Sequence, residues 1–138
     1  MIKKLDETYI DRIIELDEDT IFPIWNSEEI ANDFLLDVFS KGQVYSYFSG
    51  EDLVGTIGFK LHKEKDSVEI CFLLVKSSFE GKSVGKELMN HVERLIIEKV
   101  HRIFLEVSVQ NPSVKFYKML EFETLGKRGN KYVMEKRI

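Results

Sequence analysis

Apolar residues along the chain keep two different rhythms, and the switch between them lays out the elements. Residues 2–5 suit a short strand. After Thr8, the positions Ile10, Ile13, Ile14 and Leu16 recur at the spacing of a helix with one buried face. A turn carrying Phe22, Pro23 and Trp25 follows. Asn26, with Glu29 three residues on, reads as a capping signal for a second helix that turns Ile30, Phe34, Leu35 and Val38 towards a core.

The period then shortens. Residues 44–49 and 53–61 are β-rich and joined by Gly50-Glu51-Asp52, a hairpin by its turn residues. A charged loop, 62–66, leads to a strand over 68–75 whose last six residues are apolar on both faces, as in a strand covered on both sides. Helical spacing returns with Val84, Leu88, Val92, Leu95 and Ile96. A strand over 102–109, a short helix over 112–120 and strands over 122–126 and 131–136, turning at Gly129-Asn130, complete the chain. The order β-α-α-β-β-β-α-β-α-β-β predicts a single α/β domain with a mixed central sheet.

The 138 residues carry a net charge of −4, which leaves no electrostatic footprint for nucleic acid. The one cysteine, Cys71, excludes an internal disulfide and any cysteine-rich metal site, and its apolar strand predicts a buried thiol. His62, His91 and His101 lack metal-ligand spacing, and His91 is expected to face solvent. No stretch has the length and apolarity of a membrane span. The expectation is a soluble, cytoplasmic, single-domain protein without metal, monomer or homodimer, with no nucleic-acid or membrane partner.

Candidate chemistry sits where the apolar strand hands over to the third helix, in SSFEGKSVGKEL, residues 77–88. A helix N-terminus with glycines and lysines attracts anions. It is not a nucleotide P-loop, because three residues rather than four separate Gly81 from Gly85-Lys86 and Glu87 follows. A Rossmann reading would match only one of three glycines. The segment VKSSFEGKSVG, residues 75–85, instead resembles the acetyl-CoA pyrophosphate loop of the GNAT N-acetyltransferases, whose pattern is Arg/Gln-x-x-Gly-x-Gly/Ala. Gly85 keeps the last glycine, Ser83 replaces the earlier one, and Glu80 stands where Arg or Gln is usual. LEVSVQNPSVKFYKMLEF, residues 105–122, is similar to the family's next strand, Asn-bearing turn, FY-containing helix and closing "LGF", with Glu121 in place of the glycine. With the element order, the resemblance spans essentially the whole chain.

The resemblance implies direct attack of an amine on an acetyl thioester. Tyr117 matches the tyrosine that protonates the departing CoA sulfur. Glu106, in LEV, matches the proposed base of bacterial ribosomal-protein alanine acetyltransferases, and Glu69 resembles the glutamate of histone-type enzymes; Glu106 is preferred and Glu69 is close behind. Backbone groups of Leu73, Leu74 and Val75 would pair with pantetheine, as would Asn111. The stretch Glu80, Gly81, Lys82, Ser83, Val84, Gly85 and Lys86 would surround the diphosphate. IFPIWNSEE, residues 21–29, resembles the "FPWSE" segment of the ribosomal-protein alanine acetyltransferases with one residue inserted, which implies a protein N-terminal α-amine as acceptor; as a plain core turn it would bury Trp25. The alternatives are a small amine such as a polyamine or aminoglycoside, or a degenerate acyl-CoA-binding module that does not turn over.

Overall fold

The computed structural model describes all residues, 1–138. Its order is β1 (Ile2–Lys4), α1 (Ile10–Glu18), α2 (Glu28–Lys41), β2 (Gln43–Ser49), β3 (Asp52–His62), β4 (Ser67–Val75), α3 (Val84–Ile96), β5 (Arg102–Ser108), α4 (Ser113–Met119), β6 (Glu123–Arg128) and β7 (Lys131–Arg137). One seven-stranded sheet runs β1-β2-β3-β4-β5-β7-β6. Only β4 and β5 pair in parallel, since α3 crosses between them; every other neighbour is antiparallel.

Each face of the sheet has its own core. Ile13 of α1 and Ala31, Leu35 and Val38 of α2 pack with Val44, Phe72 and Leu74. On the other face Val84, Leu88, Val92 and Ile96 of α3, with Tyr117 of α4, pack on Ile57, Phe59, Ile103, Leu105 and Met134. The element order is the expected one, but some faces differ. On α2 the buried stripe is Ala31, Leu35 and Val38, which leaves Ile30 53% exposed and Phe34 37% exposed. Ser27, not Asn26, caps α2 through its hydroxyl, which accepts from the Ile30 N–H at 3.2 Å. Asp6, not Thr8, opens the first turn: its side chain accepts from the Thr8 N–H at 2.9 Å to cap a single 3-10 turn over Glu7–Tyr9, and α1 begins only at Ile10. His91 does not face solvent: its ring lies 4.7 Å from that of Tyr45, and its Nε2 is buried without a partner.

The continuous apolar run in β4 has a specific cause. Its register on β3 jumps from Phe59↔Ile70 to Gly58↔Phe72, so Cys71 is an extra residue, a bulge. Val68 and Ile70 therefore belong to the α3 core, whereas Phe72 and Leu74 belong to the α1–α2 core. Gly58 accommodates the flip, because a Cβ there would lie 2.3 Å from the Phe72 ring.

Candidate active site

β4 and β5 stay in register over Ser67↔Arg102 to Ile70↔Leu105 and pair no further, although β4 runs on to Val75 and β5 to Ser108. Beyond Ile70 and Leu105 the strands part, and the opening is a cleft of about 350 Å³. Leu73, Leu74 and Val75 of β4, the start of α3, and Asn111, Phe116 and Tyr117 from the α4 segment line one side of it. Thr20, Ile21, Phe22 and Ile24 of the α1–α2 loop complete the lining, and that loop is tied to the chain just past β4 by the Thr20–Lys76 bridge and the Ser77 N–H to Asp19 carbonyl bond of 2.8 Å.

The β4–α3 loop reaches α3 through two left-handed residues, Gly81 at φ 76° and Ser83 at φ 67°. Glycine adopts this conformation freely, whereas serine pays about 1 kcal/mol for it. The Ser83 carbonyl accepts from the Glu87 N–H at 2.9 Å, and its hydroxyl caps nothing. The amides of residues 84–86 thus open the helix without intrahelical partners, at the positive end of its dipole. Gly85 has a packing role: a Cβ there would stand 3.1 Å from the Phe116 ring and 3.5 Å from Val75 Cγ2, so its absence lets α4 close against α3.

Tyr117 is 6% exposed and lines the cleft, edge-on to Phe116 at 5.4 Å and Phe122 at 5.7 Å between ring centroids. Burial pushes its phenol far above the ordinary value, so the group stays protonated. Asn111 Oδ1 accepts from the Ser113 N–H at 2.9 Å and the Ser113 hydroxyl at 2.8 Å, which uses its carbonyl end to start α4 and leaves its amide NH2 outside that cap. At the other end of α4, Glu121 takes φ 74° where the family pattern has glycine.

The cleft brings together Leu73, Leu74, Val75, Glu80, Gly81, Ser83 and the α3 start with Asn111 and Tyr117. Lys82 is not in its lining; its ammonium stands 5.0 Å from the Phe79 ring centroid. Glu69 and Glu106 are not in the lining either. Glu106 is the first β5 residue past the last pair, on the face opposite Leu105 and Val107, and its Oε2 accepts from Arg128 Nη1 at 3.1 Å. Glu69 pairs across from Phe104 and holds His62 Nε2 at 3.0 Å. Cys71 is no nucleophile, since burial pushes its thiol up to about 12. No cluster of His, Cys, Asp or Glu could hold a metal ion, and no helix is long and apolar enough to cross a membrane.

Sequence reasoning missed the residue that builds the outer wall. Asp17 is 2% exposed, and its carboxylate accepts from the Ile24 N–H at 2.9 Å and the Trp25 N–H at 3.2 Å. Its own carbonyl accepts from the Thr20 hydroxyl at 2.7 Å. Burial pushes the acid up, and the two amides oppose that shift. The signal was available: Ile10, Ile13, Ile14 and Asp17 share one helical face, and an acid on an apolar face needs a local purpose. Trp25, fixed by this clamp, packs half-buried on Phe34 at 5.6 Å and Phe72 at 5.7 Å.

The sheet parts between its parallel central strands, with a helix N-terminus and a buried tyrosine lining the gap, which defines an α/β protein with a binding cleft at the carboxyl ends of those strands. The Acetyltransferase (GNAT) family matches residues 10–122, and the chain belongs to that family. It is thus a GNAT-family acetyltransferase. Among solved structures it is similar to the PaiA N-acetyltransferase of Thermoplasma acidophilum in complex with coenzyme A, at 22% identity and TM-score 0.83, covering 100% of this chain and 98% of that one. The ribosomal-protein-S18-alanine N-acetyltransferase of Escherichia coli aligns at 16% identity and TM-score 0.80 over 100% and 93%. The IAA acetyltransferase of Bacillus cereus aligns at 14% identity and TM-score 0.77 over 100% and 99%. No curated protein matches the sequence.

Proposed function

We propose that residues 1–138 form one acetyl-CoA-dependent N-acetyltransferase domain that passes an acetyl group directly to a primary amine. The observation that carries this reading is the parting of β4 and β5, which leaves the edge of β4 free beside a helix N-terminus and a protonated phenol. The apolar walls suit a pantetheine arm, and the free β4 edge over Leu73 to Val75 suits its amides. The unpaired amides at 84–86, with Gly81, Ser83 and Lys86 beside them, suit the diphosphate. Coenzyme A in the PaiA structure supports the same assignment. When bound, acetyl-CoA supplies the acetyl thioester.

The protein's own groups supply the proton traffic. Tyr117, kept protonated by burial, donates its phenolic proton to the leaving sulfur. Glu106 accepts the proton of the attacking amine, held in place by Arg128. Its position at the parting of the strands favours it over Glu69, which lies two residues further into the paired region. We assign the acceptor to the α-amine of a protein N-terminus, as in ribosomal-protein alanine acetylation, on three supports: Glu106 in LEV, the FPIW stretch, and the fold shared with such an enzyme.

The test of cofactor use is thermal unfolding with acetyl-CoA and with ATP as control. At a hundredfold excess over Kd, linkage predicts about 2.7 kcal/mol, a shift of roughly 8 °C for acetyl-CoA alone. No shift at millimolar acetyl-CoA would sink the reading. Turnover on an N-terminal peptide but not on spermidine or an aminoglycoside supports the acceptor assignment; the reverse replaces it with a small-amine enzyme, and binding without any turnover reduces the chain to a binding module.

A further inference from the structure

The cleft carries very little charge. Among the side chains lining it, Glu80 and Lys86 alone are ionic. The α1–α2 loop contributes Thr20, Ile21, Phe22 and Ile24, none of them charged, and the α4 segment contributes no charged group, Tyr117 being a neutral phenol. The other ammonium on the loop, Lys82, leans on the Phe79 ring. Glu80 takes part in none of the ion pairs of the molecule. At the place where the family pattern supplies a cation or an amide, this chain therefore sets a carboxylate that cancels the one lining lysine.

Resting on the reading of the cleft as an acetyl-CoA site, we propose that Glu80 makes cofactor binding proton-linked: it takes up a proton as the diphosphate enters, and the protein holds the cofactor more tightly in mildly acidic than in alkaline solution. The physical cause is like-charge repulsion. A diphosphate beside an ionised carboxylate is opposed, whereas beside a neutral one it meets the amides of residues 84–86 and Lys86 without a competing anion. Glu80 is an exposed residue, and the partial desolvation of its carboxyl already pushes it up, in the same direction as the incoming anion. A carboxyl whose pKa is higher in the complex than in the free protein binds its ligand best when protonated, and the advantage is lost as pH rises through the pKa of the complex. Each unit by which the diphosphate raises that pKa is worth tenfold in affinity between the two limits.

The experiment is calorimetric titration of the whole chain with coenzyme A from pH 5 to pH 8, in buffers of different ionisation heat, for the native protein and for Glu80→Gln. Expected for the native protein are net proton uptake on binding and an affinity that falls about tenfold across the range. Glu80→Gln keeps the tight limit at every pH, with the proton uptake removed. The ligand's own titration is common to both proteins and cancels in the comparison. Lys86→Met weakens binding throughout and leaves the slope in place. Pantetheine, which lacks the diphosphate, shows no slope that depends on Glu80. An equal slope in the native protein and Glu80→Gln, or the same Glu80-dependent slope with pantetheine, overturns the proposal while the reading of the cleft stands. Loss of coenzyme A binding in Glu80→Gln alone overturns the proposal, and failure of the native protein to bind coenzyme A at any pH overturns that reading and the proposal with it.

Discussion

The two loops that line the cleft, joined by the Thr20–Lys76 bridge and by the Ser77 N–H to Asp19 carbonyl bond of 2.8 Å, are held by opposite means. The β4–α3 loop keeps its shape through the backbone: two left-handed residues, Gly81 and Ser83, and a missing Cβ at Gly85 set its path. The α1–α2 loop is held by one side chain, the buried carboxylate of Asp17, which gathers the amides of Ile24 and Trp25 and anchors Thr20 through its own carbonyl. The first device presents free N–H groups to a ligand, and the second consumes them. The difference teaches which part of the lining is built to bind an anion and which is built to shape an apolar wall.

Tyr117→Phe should separate chemistry from binding most sharply. We expect turnover to fall about a hundredfold, the usual scale for a general acid, with coenzyme A affinity nearly unchanged by calorimetry. Unchanged turnover would remove the acid from this side of the cleft. Asp17→Ala should break the other loop. Loss of two amide acceptors is expected to cost about 2 kcal/mol, read as a lower midpoint in urea, with a larger rise in acceptor KM than in coenzyme A Kd. A neutral effect would mean that the wall is held by Trp25 packing instead.

Gly85→Ala brings a methyl to 3.1 Å from the Phe116 ring, so α4 must give by a few tenths of an ångström. We expect a loss of about 1 kcal/mol in stability together with weaker coenzyme A binding. Ser83→Gly relieves the left-handed serine and should stabilise by up to about 1 kcal/mol, seen as a rise in melting temperature. A fall would show that the hydroxyl is needed. The smallest effect concerns pH and lies outside both loops. Burial of His91, with Arg94 nearby, lowers its pKa, so the folded protein prefers the neutral ring. Stability from this group is present above the unfolded value near 6.5 and is lost as pH falls through the lower folded value. His91→Gln should flatten the acid limb of a melting-temperature profile.

Local periodicity made the element order readable, because the repeats of α1, α3 and the strands are sampled many times over. Features that depend on a single residue were not readable in the same way. The bulge at Cys71 is hidden inside ICFLLV, since a run that is apolar at every position carries no record of which parity faces which core. The candidate cofactor residues were legible from the loop and the Asn-to-Tyr block, and the cleft gathers them apart from Lys82. Of the outer wall, the stretch 21–29 was singled out by resemblance but its anchor was not, because Ile24 and Trp25 are held by Asp17 rather than by any spacing of their own. Ile30 and Phe34 misled because α2 offers apolar residues on two stripes, and only the one with Ala31 can approach the sheet closely.

The parting of β4 from β5 also has a mechanical side. Along the central seam only four register pairs tie β1–β4 to β5–β7–β6, with α3 spanning the same seam on one face. The sheet is therefore two plates joined over half their common edge, like a book stitched along part of its spine. An extended molecule that pairs with β4 beyond Ile70 adds stitches where the chain supplies none. Occupancy should then register as slower amide exchange from Cys71 to Val75 and along the facing end of β5, and the plates should open and close less freely when the cleft is filled.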